Sequence, residues 1–372
     1  MSYVEWGKYM NEIFQTKKAE VISGDGTEQE GMDLMGALVR GGGFRPETKD
    51  PSSFVDKGQQ SPQALTDDDI LGNAFVFILA GHETTANALH FALIYLATKV
   101  ASQRQLQKDL DRVFKGRPVS EWDYEHDIPN LSNGMAGAVM NETLRLVPPV
   151  NVIPKMVTKD QDQSLNIEGK KCMVPAGCYV SLNPVAVHRN PKYWPAGPPS
   201  DPAHPLHPTS NTDNDLEEFR PERWLLDIGL SQSTGESLPG VENRSTETSD
   251  FDVNTGPDTS PSLFHPAKGA YVPFSEGYRG CLGRRFAQVE VLTVLAVIFS
   301  QYSVELAVDQ WATDEKLDKL SAEERREAWN KARREVERLM RDGMASMFTL
   351  QMRGGKVPIR LVKRGAERFD GV

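Results

Sequence analysis

The sequence predicts a mainly α-helical fold with small β-sheets, of the α+β class, and three observations support this prediction. Apolar runs with helical patterning cover residues 66–100 and 286–300. Short alternating stretches at residues 171–183 and 347–362 are typical of β-strands beside turns. Residues 309–341 are densely charged with a sparse apolar seam, which indicates one or two peripheral helices.

The composition describes an ordinary soluble protein. The chain has 372 residues, of which 39% are apolar and 25% are charged, and we expect them to form a single domain, residues 1–372. The formal net charge of −10 argues against nucleic acid as a partner. The three cysteines, Cys172, Cys178 and Cys281, are too sparse for a disulfide framework and favour a reducing compartment.

No membrane-targeting segment is visible in the sequence. The first residues are polar and lack the apolar core of a signal peptide. The long apolar run at residues 70–100 is interrupted by His82, Glu83, Thr84 and Thr85, which a membrane span tolerates poorly. We therefore expect a soluble, cytoplasmic chain without a membrane anchor.

The N-terminal region predicts helices separated by a glycine-containing break. Apolar residues recur with helical spacing from Trp6, residues 24–26 break the pattern, and a shorter helix follows around residues 32–39. Thr66, with Asp69 three residues later, is a typical helix start. The helix that it opens should run to about Val100 and, being apolar nearly all round, should cross the middle of the protein.

The centre of that long helix carries polar residues at positions 80–85. A glycine, Gly81, is followed by the carboxylate Glu83 and the hydroxyl of Thr84. Threonine side chains can bond a carbonyl one turn back, which loosens the helix and leaves a groove with a free polar group. The alternative interpretation is a polar interruption that faces another helix.

Further helices are predicted at residues 101–114 and 135–146. The second contains Glu142 and Arg145, which share one helix face and can pair. Taken alone, such a pair is commonly a surface ion pair of small energetic value.

Two β-hairpins are predicted in the second half of the chain. Residues 171–174 and 178–183 read as strands joined by a Pro-Ala-Gly turn, and residues 347–352 and 356–362 read as a closing hairpin around Gly354. Two stretches, residues 195–215 and 227–266, are rich in turn-forming and small polar residues and read as poorly ordered surface insertions.

A cysteine loop at residues 274–283 precedes the last long apolar helix. Three glycines in seven residues let the backbone turn tightly and approach a flat ligand closely. A cysteine at a helix start, here Cys281, lies where the helix dipole stabilises a thiolate. Arg279 offers forked donors to a carboxylate. The alternative is a buried structural cysteine in a glycine-rich turn.

These motifs resemble those of the cytochrome P450 superfamily, on its fungal side. The haem-binding loop of that family matches here at five positions, Phe274, Gly277, Arg279, Cys281 and Gly283. Gly81, Glu83 and Thr84 match its oxygen-activation motif, and Glu142 with Arg145 matches its Glu-x-x-Arg motif, which in relatives pairs with a second arginine, here Arg223. Residues 188–191 also resemble a family stretch.

The resemblance implies a haem-thiolate monooxygenase whose cofactor is heme b, iron protoporphyrin IX. Cys281 would be the iron ligand, Glu83 and Thr84 would deliver protons, and Lys155 would reach a haem propionate. One atom of O2 would enter an apolar organic substrate, with electrons from NADPH delivered by NADPH-cytochrome P450 reductase. An acidic reductase could dock on the basic residues near the cysteine, namely Lys268, Arg279, Arg284 and Arg285.

The sequence departs from the family pattern at its N-terminal side. Full-length eukaryotic relatives begin with an anchor in the endoplasmic reticulum membrane, a first β-sheet and a helix bearing a Trp-x-x-x-Arg motif. The resemblance therefore covers the C-terminal helical, haem-binding portion of the fold, truncated at the N-terminus. The alternative function is an inactive truncated fragment that retains the haem-ligand loop without catalysis.

Overall fold

The computed structural model describes residues 3–23, 33–44, 64–200, 214–225 and 262–369. The chain divides into two compact units, residues 1–83 and 84–372, and the boundary lies inside one continuous helix. Each unit has its own cluster of buried apolar side chains.

The first unit contains the helices α1 (Tyr3–Ser23) and α2 (Leu34–Gly41) and the beginning of α3 (Asp67–Thr98). Its core consists of Phe14, Val39 and Ile70, one from each helix. The sequence predicted all three helices. The predicted cap of α3 is also present, because the Asp69 amide donates to Thr66 Oγ1 over 3.1 Å and the Thr66 amide donates to Asp69 Oδ2 over 3.0 Å.

Helix α3 is buried over only part of its length, so the prediction that it crosses the middle of the protein is wrong for its first half. Phe91, Ile94 and Leu96 are completely or almost completely buried, whereas Val76 and Leu79 are more than half exposed. An apolar helix surface is buried only where other elements cover it, and sequence composition cannot show which part is covered.

The second unit contains seven α-helices besides the end of α3 among the described residues, and one of the seven is completely buried. They are α4 (Val100–Phe114), α5 (Tyr124–Ser132), α6 (Met135–Leu146), α7 (Pro184–Val187), α8 (Arg284–Gln301), α9 (Asp314–Leu317) and α10 (Ala322–Gly343). Helix α6 contacts α4, α5 and α8, and all twelve of its residues are buried. Its polar side chains must therefore find partners inside the protein.

The β-structure of the second unit consists of small antiparallel pairs, so the prediction of a mainly α fold with small sheets is confirmed. The pairs are β1 (Ile153–Met156) with β4 (Tyr179–Leu182), β2 (Gln163–Ile167) with β3 (Lys170–Val174), β5 (Tyr302–Leu306) with β8 (Ile359–Lys363), and β6 (Met344–Ser346) with β7 (Leu350–Met352).

The pairing of both predicted hairpins is wrong. Strand β3 pairs with β2 across a turn in which Glu168 and Gly169 have φ of 50° and 80°, and β4 pairs with β1 instead. At the C-terminal end, β7 pairs with β6 and β8 with β5. Gly354 lies against Gly343 rather than in a hairpin turn, and a Cβ on Gly354 would come within 2.7 Å of the Gly343 Cα. Local composition located these strands but not their partners.

The predicted surface insertions fall mostly outside the described residues, which exclude 201–213 and 226–261. The end of the second insertion is described, and there Leu263 and Phe264 are buried. Both residues are therefore part of the buried core. The insertions and the single-domain organisation stay predictions. Within the described ranges, no helix combines the length and the apolar character that crossing a bilayer requires.

Candidate active site

The loop that carries Cys281 is closed by backbone hydrogen bonds. The Cys281 amide donates to the Phe274 carbonyl over 2.8 Å, and the Gly280 amide donates to the Gly277 carbonyl over 2.8 Å. Gly277 has φ of 76°, a conformation that explains the glycine at this position. Ser275 also has a positive φ, 60°, which costs free energy in a residue with a side chain. The surrounding contacts thus hold the loop in one tight shape.

Cys281 presents its thiol at the surface, beside exposed apolar side chains. Leu282 and Phe286 are 71% and 75% exposed, respectively, although both are large and apolar. Helix α8 begins at Arg284 with Gly283 as its N-cap, so Cys281 lies two residues before the cap rather than in the first helical turn. A Cβ on Gly283 would meet nothing within 4 Å. The thiol and its neighbours therefore form an open, apolar surface that a flat group could cover.

Two cationic side chains accompany this loop. Arg279 is exposed and makes no hydrogen bond or ion pair among the described residues, so its guanidinium is available to a carboxylate. Lys155, on β1, donates from Nζ to Ser275 Oγ over 3.2 Å. The predicted propionate-binding lysine is thus already in contact with the cysteine loop.

The structure brings together the three residues predicted to form a charge network. Arg145 Nε donates to Glu142 Oε2 over 2.8 Å, and Arg145 Nη2 donates to Glu142 Oε1 over 2.9 Å. Arg223 Nε donates to Glu142 Oε1 over 3.0 Å. Two further donors reach the same carboxylate, the Trp224 indole at 2.9 Å and the Arg220 amide at 3.0 Å. Glu142 and Arg145 are completely buried.

Arg145 and Arg223 also hold the backbone of the segment around residue 216. Arg145 Nη1 donates to the carbonyls of His188 and Leu216 over 3.0 and 2.8 Å. Arg223 Nη2 donates to the Asp215 carbonyl over 2.9 Å and to its carboxylate over 3.3 Å. The buried charges are thus fully engaged, the condition under which a buried ion pair is tolerated.

The arginines keep the Glu142 carboxyl ionised. Burial by itself raises the pKa of a carboxyl group, but the charges of Arg145 and Arg223 outweigh burial and lower the pKa of Glu142 to about 2. The network therefore contributes to folding above the ordinary carboxyl pKa, and this contribution is lost as the pH falls towards 2.

The motif at residues 80–85 lies in an unbroken part of α3. Thr84 is partly buried and Thr85 is 5% exposed. Glu83 is the last residue of the first unit, whereas Thr84 and Cys281 both belong to the second. The helix is not interrupted at Gly81, so the local loosening expected from the glycine and the hydroxyls does not break it.

A cavity of about 230 Å³ lies away from the cysteine loop. Gln103, Gln107, Ser303, Trp329 and Glu367 are among its lining residues. It adjoins the strand that follows the C-terminal end of α8, whereas Cys281 precedes the N-terminal end. Since α8 has 18 residues, roughly 27 Å of helix separates the two ends. This cavity does not belong to the candidate site.

Sequence reasoning missed several participants in the buried network, among them Trp224 and Asp215. The Trp224 indole and the Asp215 backbone and carboxylate contact its charged members directly. Trp224 immediately follows Arg223 and was visible as part of the same stretch. No sequence pattern indicated Asp215, because it lies at the edge of the region predicted to be a surface insertion.

The comparisons with known proteins agree on one family. The family model described as "Cytochrome P450" matches residues 5–329. A cytochrome P450 monooxygenase of Penicillium roqueforti, ORF6, is 30% identical over 332 residues, which cover 87% of this chain and 49% of that protein. The cytochrome P450 monooxygenase prx9 of Penicillium rubens is 29% identical, with the same coverage of both chains.

A solved structure supports the fold. The crystal structure of the cytochrome P450DA heme domain covers 97% of this chain with a TM-score of 0.54 and 18% sequence identity, and the match spans 54% of that domain. The chain belongs to the cytochrome P450 family. It spans about half the length of the curated relatives named above.

The residues around Cys281 fit the haem of this family. Haem is a flat apolar ring that carries two carboxylates. The exposed Leu282 and Phe286 offer an uncovered apolar surface beside the thiol, and Arg279 offers an unpaired cation among the described residues. This combination suits an apolar ring, an iron-binding thiolate and a carboxylate.

Proposed function

We propose that this protein is a haem-thiolate monooxygenase, and the observation that supports this most directly is the exposed Cys281 on its closed loop. The cysteine occupies the ligand position of the family motif, beside exposed apolar side chains. In the proposed reaction, a C–H bond of an apolar substrate, O2, two electrons and two protons yield a C–OH group and water. The electrons come from NADPH through a reductase partner.

The chain's own residues have defined tasks in this proposal. Cys281 would hold the iron, as a thiolate. Leu282 and Phe286 exclude water from the ring, and Arg279 and Lys155 bind its carboxylates. The Glu83 carboxyl and the Thr84 hydroxyl carry the protons that the reaction consumes. Heme b, when bound, supplies the oxygen-transfer chemistry itself.

The buried network contributes through position rather than chemistry. Glu142, Arg145 and Arg223 are enclosed in the protein, and the proposal assigns them no proton or electron transfer. They hold α6 and the segment around residue 216 in one arrangement, and Tyr271, just before the cysteine loop, is hydrogen-bonded to Asn141 on α6. We therefore propose that these three residues support the cysteine loop.

A second candidate function is haem binding without catalysis. The observation in its favour is that the chain spans about half the length of its curated relatives. Both candidate functions require Cys281 as the iron ligand. Only the monooxygenase function requires that an oxygenated product is formed.

The experiment is a haemin titration of the purified chain followed by the spectrum of the reduced, carbon-monoxide-bound form. We expect a thiolate-type Soret band that Cys281→Ala abolishes. Cys172→Ala and Cys178→Ala are matched controls and should keep the band, because both residues lie on or beside the strands β3 and β4. A thiolate-type band that survives Cys281→Ala would contradict the proposal. Product formed with NADPH and reductase then separates the two candidate functions.

A further inference from the structure

His188 is a buried histidine whose function neither the proposed chemistry nor the charge network accounts for. It is the C-cap of the short helix α7 and is completely buried. The residues around it, 188–191, match a family stretch to which the sequence assigns no task. Buried polar side chains persist where their hydrogen bonds are satisfied, so its partners indicate what it does.

Both ring nitrogens of His188 contact the backbone, and their partners dictate the tautomer. The Val272 amide donates to Nε2 over 2.9 Å, so Nε2 carries no proton. Nδ1 lies 3.2 Å from the Arg145 carbonyl, which can only accept, so the proton is on Nδ1. A neutral ring with this tautomer makes both bonds, and burial favours the neutral ring by lowering the pKa of His188 to about 3.

These two bonds join the buried charge network to the segment that leads into the cysteine loop. On one side is Arg145, whose guanidinium binds Glu142 and whose Nη1 also donates to the His188 carbonyl. On the other side is Val272, whose carbonyl accepts from the Ser275 amide over 3.1 Å. The next hydrogen bond, from the Cys281 amide to the Phe274 carbonyl, reaches the cysteine.

The aromatic surroundings keep the His188 ring in place. Its ring contacts Tyr271 at 5.2 Å and Trp194 at 6.5 Å between centroids. The Tyr271 hydroxyl donates to the Asn141 carbonyl on α6 over 3.2 Å, so residues 271 and 272 are both linked to α6. A side chain that is packed on its faces and bonded at both nitrogens has little freedom to let the two parts shift.

We propose that His188 is a positioning residue that ties the buried Glu142–Arg145–Arg223 network to the start of the cysteine loop and thereby sets the place of Cys281. The proposal rests on the proposed function in one respect, that Cys281 is the haem ligand. It explains how a network with no chemical part in the reaction acts on the ligand.

The first measurement is hydrogen exchange of the Val272 amide in the full chain without haem. We expect about tenfold faster exchange in His188→Phe, which keeps a ring but loses both bonds. His188→Gln should restore exchange close to the parent rate, because its amide has one acceptor and one donor. Trp122→Phe is the control, since it removes a different indole hydrogen bond, the one to the Arg117 carbonyl over 3.2 Å. If His188→Phe does not fold, His188→Asn, whose side chain is too short to make both bonds, takes its place.

The second measurement is the thiolate-type band after haem loading. At equal folded fractions, His188→Phe should lose most of that band, whereas Trp122→Phe and His188→Gln should keep it. Equal Val272 exchange in His188→Phe and Trp122→Phe, or a normal band in both, would overturn the positioning role. A parent chain without any thiolate-type band would instead contradict the proposed function, so the two failures are distinguishable.

Discussion

At the scale of single residues, Glu142 shows how a buried carboxylate is made tolerable. Its carboxylate accepts hydrogen bonds from two arginines, an indole and a backbone amide, and each of these four donors belongs to a different residue. Removing one partner leaves an incompletely paired charge in the buried interior, and that penalty exceeds the net value of the pair. Helix α6 therefore depends on residues some 80 positions away in the sequence.

Two arginines that each lie three residues after an acidic partner on a helix allow this penalty to be tested. Arg145→Ala should lower the free energy of unfolding by about 3–5 kcal/mol, because Glu142 is then buried with an incomplete set of partners. Arg112→Ala removes an ion pair that has the same i, i+3 spacing, with Asp109, but its arginine is 75% exposed. That change should cost less than about 1 kcal/mol. Urea denaturation of both variants measures the free energy of unfolding. Equal decreases in the two variants would contradict the difference expected between the buried and the exposed ion pair.

At the scale of elements, α3 supplies buried residues to both units but is exposed in between. Its C-terminal part supplies Phe91, Ile94 and Leu96 to the core of the second unit, whereas Val76 and Leu79 remain exposed. The polar motif lies between these two parts. Thr84, in this motif, is partly buried, and the completely buried residues Ile94 and Leu96 lie beyond it in the helix.

Thr84 and Thr85 allow a neighbouring-residue test of proton delivery. In the haem-loaded protein, Thr84→Val should leave haem binding intact but lower the product formed per NADPH consumed, with oxygen released as peroxide. Thr85→Val should affect this ratio less, because its side chain projects about 100° further round the helix. Thr85 is 5% exposed, so its replacement should appear mainly in stability. An unchanged ratio for Thr84→Val, or a larger effect of Thr85→Val, would show that the motif is assigned wrongly.

At the scale of the whole molecule, the charge distribution matters more than the net charge. The chain carries a formal charge of −10, yet basic residues gather along the cysteine loop and the start of α8. Arg279 and Arg285 are exposed and make no ion pair among the described residues. A local positive patch on an acidic protein can steer an acidic partner at low salt.

A charge reversal tests whether this patch receives the reductase. Arg285→Glu should slow electron transfer from an acidic reductase and weaken its dependence on salt. Lys363→Glu, an exposed position on β8, changes the net charge equally and should have little effect. Stopped-flow reduction at several ionic strengths is the measurement. Equal rates in the two variants would exclude the patch as the docking surface.

The sequence by itself determined the family and the long helices α1, α3, α4, α6 and α8, but not α5, which contains Pro129. The roles of the candidate site residues stay predictions. The α3 cap at Thr66, the full extent of α6 and the glycine-rich loop before α8 all follow from short-range rules, namely capping, apolar spacing and glycine conformation. The pairing of Glu142 with Arg145 needed no more than their spacing on one helix face.

The tertiary structure alone decided which strands pair, where α3 is buried and what His188 contacts. The hairpin predictions failed because β4 takes β1 as its partner, and β8 takes β5, from distant parts of the chain. The bridge from Arg145 through His188 to Val272 joins residues up to 127 positions apart, since 272 minus 145 is 127. Capping, apolar spacing and glycine conformation depend on residues that are neighbours in the chain. Strand pairing and burial depend instead on which distant surfaces pack together with the most favourable free energy.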